Sequence, residues 1–539
     1  MAGQMGGQPI IILKQGTERT RGEEAKRSNI MAARAVAEAV RTTLGPKGLD
    51  KMLTDTAGLV IITNDGATIL DEMAIKHPAA KMVAQVAKTQ DDEVGDGTTT
   101  AAVLTGELLK GAQELMEQGV HPTTIIHGYD LAAHKSKEIL SEIAVESSDE
   151  QLRKIAETAL TGKGIEFSKE KLSELAVSAV KSIVKQENGK KKVDIKDISI
   201  ERRGEGNVED SELVQGIILD KTKTHQSMPS QIENARIAIL AAPIEVRKTE
   251  TKSEISIEKV GQTRMFLEQE ERLIREAADK VIKGGANVVF CQKGVDDLAR
   301  YFLAKAGIFV THRVKKSDLL KLSRATGGKI ITSLDEIVPE ALGQAGLVEE
   351  KMVGNGEMIF VTQCKNPDTY SILLRGGTEH VVTSLDRAVH DALRVVGVAI
   401  EDGKILAGGG SPEIELALRL REYASTLAGR EQLAVNKFAQ ALEIIPKTLA
   451  ESAGLDTIDM LAELRSQHER GNKNVGLDVY EGKPVDMLEN GVIEPLHVKT
   501  QAITSATEAA SMILRIDDVI ASAKEEHPKK KPDLSDLDY

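Results

Sequence analysis

The sequence predicts a multidomain chain in which a mainly α-helical domain is interrupted by an α/β insertion. Three observations lead there. The chain has 539 residues, too many for one domain and enough for about three or four. Both ends carry Ala-rich segments whose apolar residues recur at helical spacing. Between them, short β-branched runs alternate with helical patterns. The two ends resemble each other in composition and the middle does not.

Taken in order, residues 1–20 read as an extended arm, with Ile10 to Leu13 as a short strand. From Glu23 to Leu44 the pattern is helical: Ile30, Ala33, Ala37, Val40 and Leu44 share one face, and Gly45-Pro46 stops the helix. Val60 to Thr63 reads as a strand ending in an Asn64-Asp65-Gly66 turn. Helices are expected over 79–92, 98–118 and 122–145, the first two separated by Gly95-Asp96-Gly97. Lys185 to Lys192 is polar and basic, a loop tip. The runs at 217–219, 237–240, 288–290 and 308–310 predict strands of an α/β unit covering about 215–370. Within it, a polar stretch at 245–262 leads into a helix from Thr263 to Lys283, with Leu267, Ile274, Ala278 and Val281 on one face. After about residue 405, helices return at 412–424, 430–453 and 456–469. Residues 525–539 form a charged tail containing Pro528 and Pro532.

Composition excludes several classes. Lys and Arg total 70 against 83 Asp and Glu, a net charge of −13, which argues against a nucleic-acid binder. Aromatic residues are 2% and Trp is absent, so base stacking is not the main function. The two cysteines, Cys291 and Cys364, support neither a disulfide framework nor a zinc cluster and suit a reducing compartment. No apolar run is long enough to span a membrane, and Met1 to Gly7 lacks a secretory pattern, so a cytoplasmic protein is expected.

The sharpest chemical signal is Gly95-Asp96-Gly97-Thr98-Thr99-Thr100 opening a helix. Unpaired N–H groups and the positive end of the helix dipole favour phosphate there. Asp96 would repel that phosphate unless a cation such as Mg²⁺ intervened. On the local pattern alone, a capped helix after a turn explains these residues equally well. Ala407-Gly408-Gly409-Gly410-Ser411-Pro412 is a second Gly-rich loop, with Ser411 fitting an N-cap and Pro412 the first helical position. Its three glycines would let a base or ribose lie against the backbone. There is no GxxxxGK[ST] P-loop, no HExxH and no GxSxG.

Taken together, Thr43 to Gly48 (TLGPKG), Thr63 to Gly66 (TNDG), Val94 to Thr100 (VGDGTTT), Ala407 to Gly410 (AGGG) and Val498 to Gln501 (VKTQ) occur in the order found in group II chaperonins. The chain resembles that family from about Gln8 to Ala523, most closely its archaeal thermosome branch and then the eukaryotic cytosolic chaperonin. The resemblance implies three nested domains. A mainly α-helical equatorial ATP-binding domain would comprise 1–147 and 405–539. A small α/β intermediate domain would comprise 148–215 and 370–404. An α/β apical substrate domain would cover 216–369, with a helical lid protrusion at about 245–283.

The same resemblance implies ATP or ADP with Mg²⁺ as cofactors. Gly45, Gly97, Thr98, Thr99 and Thr100 would surround the phosphates and Asp96 would hold the metal. Gly409, Gly410 and Glu494 would line the nucleoside, with Lys499 as a further contact. Asp65 and Asp391 would position or activate water, and Lys163 would sense the γ-phosphate. Read as a bare helical residue, Asp391 would instead be solvated. The implied partners are non-native proteins and self or paralogous subunits, in two stacked rings of eight or nine. A built-in lid implies no separate co-chaperonin. Many archaeal relatives end in a Gly/Met-rich tail, and this chain does not.

Two other classes fit the residues less well. A passive holdase of the same fold would lack turnover, which the set Asp65, Asp96, Thr98 and Asp391 argues against. A metabolic enzyme built on the α/β middle would need a catalytic constellation that this segment lacks.

Overall fold

The Ala-rich ends form one helical body because their small side chains let helices approach closely. In the computed structural model, which describes residues 18–54, 58, 60–245, 260–366 and 368–521, helices Gly22–Arg41, Pro78–Val94, Thr98–Glu117 and Pro122–Ile143 pack with Ser411–Thr426, Glu431–Leu442 and Leu496–Arg515. One apolar core joins Ile30, Leu108 and Ile125 to Leu420, Phe438 and Ile513. Tyr129 and Phe438 meet edge-on within it, ring centres 5.7 Å apart. At Gly128 a Cβ would come within 2.4 Å of Ala434, so the helix approach there excludes any side chain. Strand Glu18–Arg21 pairs antiparallel with Asp518–Ala521, tying the two ends together.

The middle is a twisted sheet. In spatial order it runs Phe309–Thr311, Val288–Cys291, Gln231–Leu240, Gly343–Val353, Gly356–Cys364, Glu212–Leu219, Tyr370–Gly376 and Ile198–Gly204, with Ile330–Ile331 also paired to Gln231–Leu240. The β-branched runs at 237–240, 288–291 and 309–311 pair in parallel and are buried on both faces, as βαβ strands are. Helices Val260–Lys283 and Asp297–Lys305 pack against one another. Their buried Ile274, Ala278, Val281 and Leu303 share a core with Ala238, Val289 and Val310 of the sheet. Strand Glu212–Leu219 changes partner midway. Residues 212–215 pair with Tyr370–Leu373, and residues 216–219 pair with Ile359–Thr362. A separate core lies between helices Gln151–Leu160, Lys169–Ile183 and Glu379–Asp402 and the Ile198 and Tyr370 strands.

Several local expectations change. The first helix ends at Arg41 rather than Leu44, so Gly45 belongs to the following loop. Lys185 to Lys192 is a hairpin rather than a bare tip, turning through Asn188 (φ 53°) and Gly189 (φ 78°), the positive-φ pair a two-residue turn requires. The helix expected over 430–453 divides at Glu443. Pro446 supplies no N–H and cannot continue the first ladder. The sheet also extends past the expected 215–370 limits, because Ile198–Gly204 pairs in parallel with Tyr370–Gly376. The arm strand at 10–13, the tail at 525–539 and most of the polar stretch at 245–262 lie outside the described residues.

Candidate nucleotide site

A cavity of about 360 Å³ opens between the helical body and the helices at 151–183 and 379–402. Its lining includes Gly45, Asp65, Asp96, Gly97, Thr98, Thr99, Thr100, Lys163, Asp391, Gly409, Gly410, Glu494 and Lys499. Every site residue expected from the sequence therefore meets in one place.

The floor is the N-terminus of helix Thr98–Glu117. Its N-cap is Gly97 in the left-handed region (φ 75°), with no side chain capping the first turn. Those N–H groups are consequently available to an anion. A Cβ on Gly97 would lie 3.1 Å from Gln90 Nε2 and 3.2 Å from Val498 Cγ1, so the turn is fitted closely from behind. Gln90, fully buried, donates to the Asp96 carbonyl at 2.9 Å and to the Val498 carbonyl at 3.1 Å. That side chain joins the Asp96 turn to the segment carrying Lys499. The Asp96 carboxylate accepts from Gly97 N–H at 2.7 Å.

Asp65 is more than a turn residue. It caps helix Gly66–Glu72, accepting from Thr68 N–H at 2.8 Å and from the Thr68 hydroxyl at 2.6 Å. Its other oxygen stands 3.5 Å from the Thr98 hydroxyl. Asp391 reaches the cavity from helix Glu379–Asp402 and pairs with Lys163 at 2.5 Å, from the loop after helix Gln151–Leu160. Its carboxyl is 13% exposed, so the solvated reading does not hold. Burial pushes it up to about 7, opposed by Lys163 and reinforced by Asp65 and Asp91. Burial works against the Lys163 charge, but Asp391, Asp96 and Asp65 outweigh it and hold the ammonium above its ordinary value.

Lys499 lies 2.7 Å from Glu413 and 3.1 Å from Glu494, with Lys499 and Glu413 almost fully buried. Burial raises the Glu494 carboxyl, Lys499 opposes the rise, and Glu413 and Asp96 add to it. Lys499 thus holds Glu494 in place. Gly410 is the N-cap of helix Ser411–Thr426. Ser411, expected as that cap, sits one position later and donates to the Lys473 carbonyl at 2.9 Å.

The sequence reading missed the opposite wall. Leu477, Asp478, Val479 and Tyr480, from the hairpin Val475–Asp478 and Lys483–Asp486, line the cavity with Met487 and Asn490. The signal was Gly476, where a Cβ would come within 2.7 Å of the Gly408 carbonyl. A lone glycine in a polar stretch does not reveal that contact.

The donor set suits a magnesium polyphosphate. Six carboxylates, Asp65, Asp96, Glu157, Asp391, Asp478 and Glu494, line the cavity against three lysines, 163, 169 and 499, of which Lys163 and Lys499 are already paired. A bare polyphosphate would be repelled by them. Among the described residues no group of three His, Cys, Asp or Glu is placed to hold a metal alone. Mg²⁺ needs no such group, since it commonly takes one or two carboxylates and completes its shell with phosphate oxygens and water.

Residues 36–524 match the TCP-1/cpn60 chaperonin family model. The chain belongs to that family, in its group II class of ATP-dependent chaperonins. It is 59% identical over 519 residues to thermosome subunit beta of Archaeoglobus fulgidus, covering 96% of this chain and 95% of the relative. It is 54% identical over 537 residues to the thermosome subunit of Methanocaldococcus jannaschii, covering 99% of each. Among solved structures, the open-state monomer of a group II chaperonin from Methanococcoides burtonii matches with a TM-score of 0.62 and 56% identity, over 78% of this chain and all of that one. Among the described residues, no helix is long and apolar enough to cross a membrane.

Proposed function

We propose that this chaperonin subunit binds and hydrolyses ATP to drive enclosure and folding of non-native proteins in the cytoplasm. The observation that carries the reading is the convergence of residues from Gly45 to Lys499, far apart in sequence, on one cavity at an uncapped helix N-terminus. Phosphoryl transfer asks mainly for positioning and charge neutralisation, and this site is arranged for both. The first turn of helix Thr98–Glu117, with Gly45, Gly97, Thr98, Thr99 and Thr100, cradles the phosphates. Asp96 holds Mg²⁺, which supplies charge neutralisation when bound. Glu494 addresses the ribose, Gly409 and Gly410 lie along the nucleoside, and Lys499 fixes Glu494. Asp391 takes the proton from the attacking water, Asp65 orients that water, and Lys163 reads the terminal phosphate.

Separate apolar cores support a division into an equatorial domain (1–147 and 405–539), an intermediate domain (148–215 and 370–404) and an apical domain (216–369). Asp391 then belongs to the intermediate domain, so its entry into the cavity couples hydrolysis to domain closure. The apical segment at about 245–283 serves as the lid, without a separate co-chaperonin. The subunits assemble with themselves or a paralogue in two stacked rings of eight or nine. Archaeoglobus fulgidus has both an alpha and a beta thermosome subunit, 56% and 59% identical to this chain, which supports the mixed-ring option. The complete carboxylate set speaks against a passive holdase.

The test is Mg²⁺-dependent ATP hydrolysis on the size-fractionated particle, with wild type and Asp391→Ala side by side. A large particle whose turnover falls by about a hundredfold or more in the variant, with nucleotide binding retained, is the expected result. Unchanged turnover would remove Asp391 from the chemistry. In Asp96→Ala, Mg-nucleotide binding itself should weaken, and normal binding would overturn the metal assignment.

A further inference from the structure

Helix Glu379–Asp402 touches the cavity wall a second time, one turn beyond Asp391. Arg394 Nη1 donates to the Asp91 carbonyl at 3.1 Å and also to the Asp92 carbonyl. Both carbonyls belong to the last turn of helix Pro78–Val94, whose final C=O groups must find partners beyond the helical ladder; the Asp91 carbonyl also accepts from the Gly95 N–H at 3.0 Å. A guanidinium there supplies donors and meets the negative end of the helix dipole. The next residue is Gly95, in the left-handed region at φ 71°, which begins the turn carrying Asp96. A Cβ at Gly95 would lie 2.5 Å from Arg394 Cβ and 2.7 Å from Arg394 Cδ. The stem of Arg394 is therefore laid directly on that turn.

Residues three apart on a helix leave the same face. Asp391 and Arg394 are such a pair, and each makes a polar contact across the cavity boundary: Asp391 with Lys163, and Arg394 with the carbonyls just before Asp96. From the opposite side, Gln90 holds the Asp96 carbonyl. The Asp96 turn is thus clamped between Gln90 and Arg394.

We propose that Arg394 is a positioning residue for hydrolysis: by latching helix Glu379–Asp402 onto the end of helix Pro78–Val94, it sets how far Asp391 enters the cavity. This rests on the role given above to Asp391. Arg394 itself touches no reacting atom, and its effect is to fix the separation between the Asp96 turn and Asp391. Misplacing a reacting group by about 1 Å can cost roughly a hundredfold in rate. Loss of the latch should therefore appear in turnover and not in nucleotide affinity.

The experiment uses the assembled full-length particle and compares Arg394→Ala, Arg394→Lys, Gly95→Ala and Asp391→Asn. Affinity is read with a fluorescent ATP analogue, and hydrolysis is read in a single turnover. Arg394→Ala should hydrolyse about tenfold to a hundredfold more slowly with affinity unchanged within about twofold. Arg394→Lys should recover much of the rate, because an ammonium still favours those carbonyls. Gly95→Ala, which wedges the same contact from the other side, should reproduce the slow-turnover pattern with Arg394 intact. Wild-type turnover in Arg394→Ala, or a loss of affinity parallel to the loss of rate, would overturn the proposal. If Arg394→Ala does not assemble, Arg394→Lys and Gly95→Ala decide: an Arg394→Lys rate no faster than that of Asp391→Asn, or a wild-type rate in Gly95→Ala, would overturn it. Normal turnover in Asp391→Asn would sink the role of Asp391 itself. A slow Asp391→Asn beside a fast Arg394→Ala would sink the latch alone.

Discussion

The helical body and the sheet-rich middle bury different kinds of polar group. In the helical body the buried residues include Glu413, Glu415, Glu443, His468 and Lys499. In the sheet region the buried polar residues are mostly hydroxyls, Ser199, Ser211, Thr311, Thr326 and Ser371, beside one ion pair in which the Glu350 side chain, 2% exposed, lies 2.8 Å from Lys223. Burying a charge costs several kcal/mol before any partner is counted, whereas a hydroxyl that finds one acceptor is close to neutral. The buried ions are paired across long stretches of chain. Lys499 meets Glu413, Arg465 chelates Glu443 through two hydrogen bonds, and His468 lies 2.8 Å from Glu415. His468 also faces the Val475 carbonyl at 2.8 Å, on the hairpin that walls the cavity. Lys499 and Glu494 border the cavity, and His468 braces the hairpin that walls it, so part of the buried charge of the helical body fixes that wall. The sheet relies mainly on apolar residues and hydroxyls.

Three measurements would break or sharpen that contrast. The largest effect is expected from Lys499→Met, which leaves Glu413 and Glu494 facing each other without their cation. Removing one partner of a buried pair costs about 3–5 kcal/mol, so calorimetry of the nucleotide-free protein should show the helical body melting markedly earlier. An unchanged melt would mean that the triad contributes nothing to holding the body together. The second effect is on pH dependence. Asp391, pushed up to about 7 by burial, must lose its proton before it can accept one. Hydrolysis at saturating nucleotide should therefore fall about tenfold per pH unit on the acid side of that value. Lys163 lowers this carboxyl, so Lys163→Met should move the midpoint to higher pH. A midpoint that stays put or moves down would contradict the pairing. The smallest effect belongs to the sheet. Ser371 donates to the Gly216 carbonyl at 2.8 Å and accepts from Ile218 N–H at 3.3 Å. Ser371→Ala should cost only about 1–2 kcal/mol, measured by the same calorimetry, with turnover intact. A loss as large as that of Lys499→Met would erase the distinction between the regions.

Much of the architecture was legible because its signals are local. Helical spacing gave Gly22–Arg41 and Thr98–Glu117, and β-branched runs gave the parallel strands at 237–240 and 288–291. The glycine loops were visible as more glycine than a turn needs. What stayed hidden depended on partners distant in sequence. Asp391 reads as a solvated helical residue until Lys163, 228 positions away, is beside it. Lys499 reads as one more nucleotide contact until Glu413 and Glu494 flank it. Ser411 matches a cap by residue type, but the left-handed Gly410 takes that place and frees the serine for the Lys473 carbonyl. The hairpin from Val475 to Asp486 has only a brief alternation, Val475, Leu477 and Val479, in strands of four residues a side, too short to stand out from its polar flanks.

The core that joins the two ends also decides when this chain can fold. Ile30 and Leu108 share it with Phe438 and Ile513, and Arg19 pairs with Asp518 across 499 positions. At about 5–20 residues per second, a ribosome takes roughly half a minute to two minutes to deliver those partners. The sheet unit between them closes its strands within its own segment and can condense first. Throughout that interval the early helices cover one another only in part, and the faces that meet Phe438 and Ile513 stay open, the condition in which nascent chains aggregate. A subunit built to shelter other proteins during folding is, during its own synthesis, in need of the same shelter.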